Sequence, residues 1–536
     1  MELPRPHATA PAFTVQRALG AYYTPDLAAD VMADWLLRDG GGRVLEPSMG
    51  DGVFLQAISR AAARRSRADI DLFGVELSGQ AFAQAVDRGL LPRAGAIHAD
   101  FLGVEPIPCD GVIGNPPYVR LRHLPDAQAR TARAAAEAVL GAPMDPAGSV
   151  WMPFVLHATR FLCRGGRLAF VLPHDLTYVR YARPLWGFLA EQFGSLAVIR
   201  VRERLFEGLL QEVVVLLADD YGGATDDVDF RAFATRADFA QDRPSTTATI
   251  PVADVLAGDR PFIEALLPPA LRHLLRTTVD RMTVPARDLA RFNIGYVSGD
   301  KRFFQPDAAT VRDYALPDSS LRPAATSTRQ LKGAGVFTSG LPSERRRWLF
   351  APAGEGLSES ERRYVEAGKA GGVSDRYKCR IRRPWWKVPG LKVPDVLVSV
   401  FSERPAMVLN DAGLLASNSL LCGYAHRGVD ARALVAAWYT PLTALQVELN
   451  VHALGGGVFV LVPNELGRVR LPRIEGRDGD LKALDEAVRS GDMRLAAAWG
   501  SEMVLRRRLG LTPGDIELIE AGGDALRSWR KSGGAT

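Results

Sequence analysis

Residues 43–55 read Arg-Val-Leu-Glu-Pro-Ser-Met-Gly-Asp-Gly-Val-Phe-Leu, and this stretch decides the fold. An apolar run leads into a turn that contains Gly50 and Gly52, and an amphipathic segment follows over residues 53–65. Glycine adopts positive φ without steric cost and lets a ligand approach the backbone closely. The pattern therefore predicts a strand, a ligand-binding turn and a helix. The alternative is a plain strand-to-helix turn that binds nothing.

Three more short apolar runs follow, and each leads to polar side chains. The first ends at Glu76, the next leads into Asp100 and Phe101, and the last ends at Asn115. An acidic residue after the second strand holds ribose hydroxyls in dinucleotide-binding folds. Asp100 offers an acceptor for an adenine amino group, and Phe101 offers a wall for its ring. Polar groups at the carboxyl ends of successive strands predict a nucleotide pocket in a doubly wound α/β sheet.

The fourth run ends in the tetrapeptide Asn115-Pro116-Pro117-Tyr118. The two prolines fix their own φ and supply no N–H, so the Pro116 carbonyl is held rigidly outward. Asn115 Oδ1 and that carbonyl can each accept a hydrogen bond from an exocyclic amine, whose ring would lie on Tyr118. If the first and fourth strands are neighbours, a methyl donor at the glycine turn would face this amine.

A third motif, Gly20-Ala21-Tyr22-Tyr23-Thr24-Pro25, precedes the glycine turn. With the two motifs above, it makes the chain resemble the gamma class of DNA adenine-N6 methyltransferases, the type represented by the Taq enzyme. The resemblance implies a doubly wound, seven-stranded, S-adenosylmethionine-dependent methyltransferase domain. It further implies transfer of a methyl group to N6 of an adenine that is flipped out of duplex DNA.

The resemblance also implies roles for individual residues. Cofactor binding falls to Tyr22, Thr24, Glu46, Ser48, Gly50, Gly52, Glu76, Asp100 and Phe101. Asn115, Pro116 and Tyr118 would handle the target base, and Phe206 would stack on its other face; the alternative for Phe206 is an ordinary core position. Met49 stands where the family commonly has Cys, and we expect no effect because backbone atoms bind there.

Composition divides the chain into three predicted regions. We expect the catalytic domain over residues 1–245, an α+β target recognition domain over residues 246–475, and a helical C-terminal extension over residues 476–536. Residues 219–259 are rich in Asp, Thr, Ser, Gly and Pro, which predicts a connecting region with little core of its own.

A basic and aromatic run stands out in the predicted recognition domain. Residues 377–392 contain six basic residues, three aromatic residues and no acidic residue. Basic side chains neutralise phosphates, and arginine can also read guanine edges. We expect DNA contacts from Lys378, Arg380, Arg382, Arg383, Trp385 and Lys387. The alternative is a solvated basic surface.

Net charge and cysteine content narrow the range of protein classes to which the chain could belong. The 536 residues carry a net charge of only +5, which tolerates nucleic acid without requiring it. The four cysteines lie far apart, which predicts neither a zinc site nor a disulfide framework and suits a reducing cytoplasm. We expect no bound metal, no signal peptide and no membrane span.

These observations predict the modification methylase of a type II restriction-modification system, monomeric, with any cognate restriction endonuclease acting separately. Three alternatives stay open. Cytosine-N4 methylation is chemically alike, although serine in place of Asn115 would have favoured it. Methylation of a glutamine side chain in a protein is opposed by the long second domain. A DNA-binding subunit with an inactive methyltransferase fold is opposed by the intact motifs.

Overall fold

The computed structural model describes residues 24–40, 42–67, 69–206, 212–258, 260–354, 356–454, 457–473 and 481–532. The chain divides into two compact units. One comprises residues 1–266 with residues 535–536, and the other comprises residues 267–534.

The first unit alternates strands and helices. Its strands are β1 (Arg43–Glu46), β2 (Asp71–Glu76), β3 (Ala96–His98), β4 (Cys109–Gly114), β5 (Leu162–Pro173), β6 (Phe193–Val201), β7 (Val213–Tyr221), β8 (Asp227–Phe233) and β9 (Thr246–Pro251). Its helices are α1 (Asp26–Leu36), α2 (Val53–Arg64), α3 (Gly79–Asp87), α4 (Asp126–Leu140), α5 (Trp151–Thr159), α6 (Arg183–Gln192), α7 (Arg236–Ala240), α8 (Val252–Ala257) and α9 (Pro261–Glu264).

These strands form one sheet in the order β3-β2-β1-β4-β5-β7-β6-β8-β9. Strand β1 pairs in parallel with both β2 and β4, and β7 runs antiparallel to β5 and β6. Parallel strands are covered by helices on both faces, which explains why the interior of β4 is almost wholly apolar and buried. The predicted α/β class, with one large central sheet, is therefore confirmed.

The sheet carries nine strands rather than the predicted seven, and the interpretation of residues 219–259 as a connecting region with little core is wrong. Strand β8 pairs with β6, and β9 pairs with β8. The Asp and Thr residues of this segment alternate with apolar side chains, and Val228, Phe230 and Ala232 are buried. The first unit consequently extends to Leu266 and includes residues 246–266.

Helices α1 and α2 pack together beside the glycine turn. The apolar side chains of α1 recur at Ala29, Met32, Ala33 and Leu36, which places them on one buried face. They join Phe54 and other residues of α2 in the core of the first unit. This packing holds the start of α2, and with it the turn, against the sheet.

The second unit combines small sheets with helices. Its strands are β10 (Thr283–Pro285), β11 (Ala290–Ile294), β12 (Leu321–Ala325), β13 (Trp348–Phe350), β14 (Val396–Ser399), β15 (Phe401–Ser402), β16 (Met407–Leu409), β17 (Leu415–Ala416), β18 (Leu420–Ala425), β19 (Ala453–Leu454), β20 (Val458–Val460) and β21 (Arg470–Pro472). Its helices are α10 (Pro269–Leu274), α11 (Asp280–Met282), α12 (Ala286–Leu289), α13 (Lys301–Phe304), α14 (Ala308–Asp313), α15 (Glu359–Ala370), α16 (Tyr377–Arg380), α17 (Ala431–Trp438), α18 (Pro441–Asn450), α19 (Pro463–Leu466), α20 (Lys482–Ser490), α21 (Met493–Gly500) and α22 (Pro513–Ser532).

The largest sheet of the second unit has the order β11-β18-β14-β16 and is antiparallel throughout. The C-terminal helix α22 belongs to this unit, and its Arg530 forms a buried ion pair with Glu448 of α18 at 2.8 Å. Across the residues that the structure describes, no helix is both long enough and apolar enough to span a bilayer.

Candidate functional site

The carboxyl ends of β1 and β4 lie side by side, the arrangement on which the interpretation of the two motifs depends. The parallel register pairs Leu45 with Val112, so the turn after β1 and the tetrapeptide after β4 begin at the same edge of the sheet. Ser48 Oγ donates a hydrogen bond to the Asn115 carbonyl at 3.3 Å and ties the two segments together. The glycine turn and the Asn-Pro-Pro-Tyr motif therefore form one site.

The two glycines of the turn have different functions. Both adopt positive φ, 53° at Gly50 and 77° at Gly52. A Cβ atom at Gly52 would overlap Leu90 Cδ1, so a larger residue would have to displace that side chain and would also be strained by the positive φ. A Cβ atom at Gly50 would meet nothing within 4 Å, so this part of the turn borders open space. Gly50 therefore has the room for close approach of a ligand that the sequence predicts.

Met49, where the family commonly has cysteine, is a packing residue. It is buried, and its side chain occupies the space where Gly74 would otherwise carry a Cβ atom. Its backbone N–H donates to the Val75 carbonyl at 3.0 Å. The methionine thus fastens the turn onto β2.

Glu76, at the end of β2, braces the turn from the other side. Its Oε2 atom accepts a hydrogen bond from the Gly50 N–H at 2.9 Å, and its Oε1 atom accepts one from the Ser78 N–H at 2.7 Å. Each carboxylate oxygen can accept a further bond. The predicted contact of Glu76 with ribose hydroxyls is therefore compatible with this bracing.

Glu46, the last residue of β1, is a buried carboxyl group. The residue is 1% exposed, and its Oε2 atom has no hydrogen-bond partner within the described part of the chain. Burial, followed by the charge of Asp51, raises the pKa of Glu46 well above its ordinary value; a backbone hydrogen bond from Leu55 opposes this rise and the charge of Glu76 adds to it. A bound cation would offset two costs of ionising this carboxyl group, namely its burial away from water and its repulsion by the neighbouring carboxylates.

These features fit S-adenosylmethionine. Its ammonium and sulfonium groups are cationic, and three carboxyl groups, those of Glu46, Asp51 and Glu76, lie close together at a turn that borders open space at Gly50. Asp100 lies beyond the end of β3, where its Oδ1 atom accepts a bond from the Leu102 N–H at 3.1 Å.

The residues predicted to handle the target base are held by specific contacts. Asn115 Nδ2 donates to Thr24 Oγ1 at 3.2 Å, and Tyr118 donates through its hydroxyl to the Val171 carbonyl at 3.1 Å. The contact with Thr24 fixes which way the amide faces, and the contact with Val171 fixes the tyrosine ring. Pro116, which lies between Asn115 and Tyr118 in the sequence, is buried.

The Thr24–Asn115 contact is one that sequence reasoning missed, because it assigned Thr24 to the cofactor alone. The two residues are 91 positions apart, and no local pattern links them. Both residues lie in motifs that were identified in the sequence. The strand order of the sheet is the additional information that places the two motifs at one site. Tyr22 lies outside the described residues.

Two aromatic residues that were predicted to contact ligands are buried. Phe101 is 2% exposed, and its ring lies 5.2 Å from that of Phe154 and 5.3 Å from that of Phe161. Phe206 is 4% exposed and belongs to the core of the first unit, the alternative noted for it from the sequence. Their contacts with the cofactor and the target base stay predictions.

The predicted DNA-contact residues of the second unit divide into exposed and packed ones. Lys378, Arg380, Arg383 and Lys387 are exposed, whereas Arg382 and Trp385 are partly buried. Arg382 Nη1 donates to the Ser298 carbonyl at 2.8 Å and Nη2 donates to that of Val297. The Trp385 ring lies 5.1 Å from that of Phe303. Arg382 and Trp385 therefore hold the basic run onto the rest of the unit.

This division gives a testable difference between neighbouring arginines. Arg382→Gln is expected to lower the free energy of unfolding by about 1–3 kcal/mol, because two backbone carbonyls lose a charged donor. Arg383 Nη1 donates only to the exposed carbonyls of Arg380 and Arg382 within the same run. Arg380→Gln with Arg383→Gln is therefore expected to change stability less than Arg382→Gln does, and to reduce the salt dependence of DNA binding by about 0.9 log unit per lost phosphate contact. Thermal unfolding and binding titrations at several salt concentrations measure the two effects. Equal behaviour of the two variants would contradict the division.

Comparisons with known proteins find similar chains among restriction-modification methyltransferases. A family model described as the Eco57I restriction-modification methylase matches residues 104–206, and one described as the C-terminal domain of the type II methyltransferase M.Eco57I matches residues 259–505. The chain is 25% identical over 474 residues to the type II methyltransferase M.XamI of Xanthomonas campestris pv. amaranthicola, with 85% of each chain covered.

Two further similarities extend over most of the chain. It is 22% identical over 482 residues to the type II methyltransferase M.AccI of Acinetobacter calcoaceticus, covering 84% of this chain and 85% of that one. The type IIL restriction-modification enzyme MmeI, solved in complex with DNA, matches with a TM-score of 0.50 at 13% identity, over 94% of this chain and 71% of that chain. This last similarity concerns the fold alone.

Proposed function

We propose that this chain, whose residues 104–206 and 259–505 match the models of the Eco57I restriction-modification methylase and of the M.Eco57I C-terminal domain, transfers a methyl group from S-adenosylmethionine to N6 of a flipped adenine in duplex DNA. The observation that carries this proposal is the junction of the glycine turn with Asn115, made by the hydrogen bond from Ser48. One site thereby combines acidic groups that suit a cationic donor with acceptors that suit an amine.

The cofactor would be held by the residues around the turn. Glu46 would pair with a cationic group of the ligand, Gly50 would allow its close approach, and Glu76 would accept from ribose hydroxyls. When bound, S-adenosylmethionine would supply a sulfonium methyl group: an amine nitrogen can bond to the methyl carbon while the S–CH3 bond breaks, the thioether leaves and the nitrogen releases a proton to solvent.

Asn115 would act on the target amine. Its Nδ2 atom donates to Thr24, so its Oδ1 atom is directed away from Thr24, in the orientation that accepts from an amine. A hydrogen bond to Oδ1 and another to the Pro116 carbonyl would pull the nitrogen lone pair out of conjugation with the ring. The chain would thus contribute alignment and polarisation at a fixed point.

Tyr118 would receive the extruded base. Flipping costs a few kcal/mol because the base loses its stacking and pairing. Stacking on an aromatic side chain offsets roughly 1–3 kcal/mol of this cost. The bond from the Tyr118 hydroxyl to Val171 holds the ring in place before a base arrives.

Mass spectrometry of nucleosides from methylated DNA tests the proposal directly. Purified protein incubated with S-adenosylmethionine and plasmid DNA is expected to produce N6-methyladenine, and long-read sequencing of the same DNA gives the position and the motif. N4-methylcytosine in its place would overturn the adenine assignment. Cofactor binding without any methylated nucleoside would favour the inactive-fold alternative, and methylation of glutamine in added protein would favour that substrate instead.

The biological context extends the proposal. We expect a cytoplasmic monomer that protects DNA from a separately acting cognate restriction endonuclease. Light scattering at the mass of a single 58.2 kDa chain checks the monomer. DNA extracted from expressing cells should carry the modification at every copy of the motif, and unmodified copies throughout would contradict a protective role.

A further inference from the structure

A cleft of about 470 Å³ lies within the second unit, beside the basic run. One wall is the chain that follows β11, residues 294–297, and the other is formed by Ile381 and by the loop of residues 389–392. Strands β17 and β18 contribute residues to its lining. Backbone bonds from Gly295 to Leu420 at 3.2 Å and from Tyr296 to Ala416 at 2.8 Å fix the first wall to these strands.

The charge of the cleft is wholly positive among the described residues. Its lining includes Lys378, Arg382 and Lys392, and no acidic side chain. The Arg382 guanidinium is occupied by backbone carbonyls. Lys378 and Lys392 are exposed, and no carboxylate of the described chain lies within ion-pairing distance of either ammonium group. Two cations at a concave surface suit an anionic partner such as a phosphate backbone.

The two walls also carry large apolar side chains that face solvent. Ile294 is 55% exposed on one wall, and Ile381 is 58% exposed on the other. Isoleucine is among the residue types most often buried. Lys378 lies 5.4 Å from the centre of the exposed Tyr377 ring but, like Lys392, forms no ion pair among the described residues. Exposed isoleucines beside such lysines combine apolar contact with phosphate contact, which is the combination that a DNA groove accepts. The 5-methyl group of thymine is the apolar feature of the major groove.

We propose, on the basis of the proposed function, that this cleft is a sequence-reading site for duplex DNA. Lys378 and Lys392 contact phosphates and set the position of the strand, and Ile294 and Ile381 contact thymine methyl groups. The cleft therefore adds Ile294, Ile381 and Lys392 to the residues expected from the basic run. In this proposal the isoleucines discriminate between bases, and the lysines contribute affinity.

Uracil differs from thymine only by the missing 5-methyl group. The contact between the isoleucines and thymine is therefore tested by replacing each thymine of the recognition motif with uracil, one position at a time. Wild-type protein is expected to methylate at least one uracil-substituted duplex about 5-fold less efficiently than its thymine counterpart, in the range of a single lost base contact. Ile294→Ser or Ile381→Ser is expected to remove that difference. Lys378→Gln with Lys392→Gln is expected to keep the difference and to reduce the salt slope of DNA binding by about 0.9 log unit per contact.

Leu495→Ser and Arg494→Gln, exposed positions on α21 that do not line the cleft, are the matched controls. Circular dichroism verifies that every variant is folded. If the uracil effect is absent in wild type, or persists in both isoleucine variants, the cleft does not read thymine. If wild type methylates no duplex at all, the proposed function fails instead, and the two failures are thereby distinguished.

Discussion

Asn115→Ala is expected to slow methyl transfer by about 10²–10³-fold while leaving the affinity for S-adenosylmethionine nearly unchanged. A loss of this size is typical when one preorganised hydrogen-bonding group is removed from a reacting centre. Affinity should be retained because the Asn115 side chain contacts Thr24 and, in the proposed function, acts on the target amine, whereas the turn that would hold the cofactor is braced separately by Glu76.

Single-turnover transfer rates and calorimetric titration measure the two quantities separately. Thr24→Val is the companion variant, because it removes the hydroxyl that orients the amide and keeps the side-chain volume. It is expected to slow transfer by a smaller factor than Asn115→Ala. If Asn115→Ala weakens cofactor binding as much as it slows transfer, Asn115 has been assigned to the wrong ligand.

Glu46→Gln is expected to change stability and cofactor affinity in opposite directions. The pKa of Glu46 is raised by burial and by Asp51, so this carboxyl group favours folding while it is protonated and loses that contribution as the pH rises through its raised pKa. Glutamine never ionises, so the cofactor-free variant should unfold at a higher temperature than wild type, by a margin that grows with pH. Loss of a charged hydrogen bond to the cofactor should cost about 1.5–3 kcal/mol, or roughly 10- to 150-fold in affinity.

Thermal unfolding from pH 5 to pH 9 without cofactor follows the first effect, and calorimetry follows the second. Calorimetry in buffers of different ionisation enthalpy should also detect proton release when the cofactor binds to wild type, and none from this group in the variant. Glu105→Gln, an exposed glutamate of the same unit, is the control. If both variants shift the unfolding temperature alike, Glu46 is not the buried titrating group.

Local sequence determined the site's framework. The glycine turn after β1, the carboxylate after β2 and the tetrapeptide after β4 were all predicted, because each motif is a contiguous run whose backbone conformation depends on its own glycines and prolines. The adjacency of β1 and β4 was only a condition at the level of sequence, and the register that pairs Leu45 with Val112 meets it.

What the sequence left open was decided by contacts between distant residues. Strands β8 and β9 were missed because their exposed faces carry Asp and Thr. Only the pairing of β8 with β6, and of β9 with β8, shows that alternate side chains of β8 and Ile250 of β9 are buried. Arg382 looks like its exposed neighbours in the basic run, yet its partner Ser298 lies 84 positions away. The orientation of Asn115 likewise depends on Thr24, 91 positions earlier. A residue's type and neighbours fix its chemistry, but only the folded chain decides whether that chemistry meets solvent, a ligand or another part of the protein.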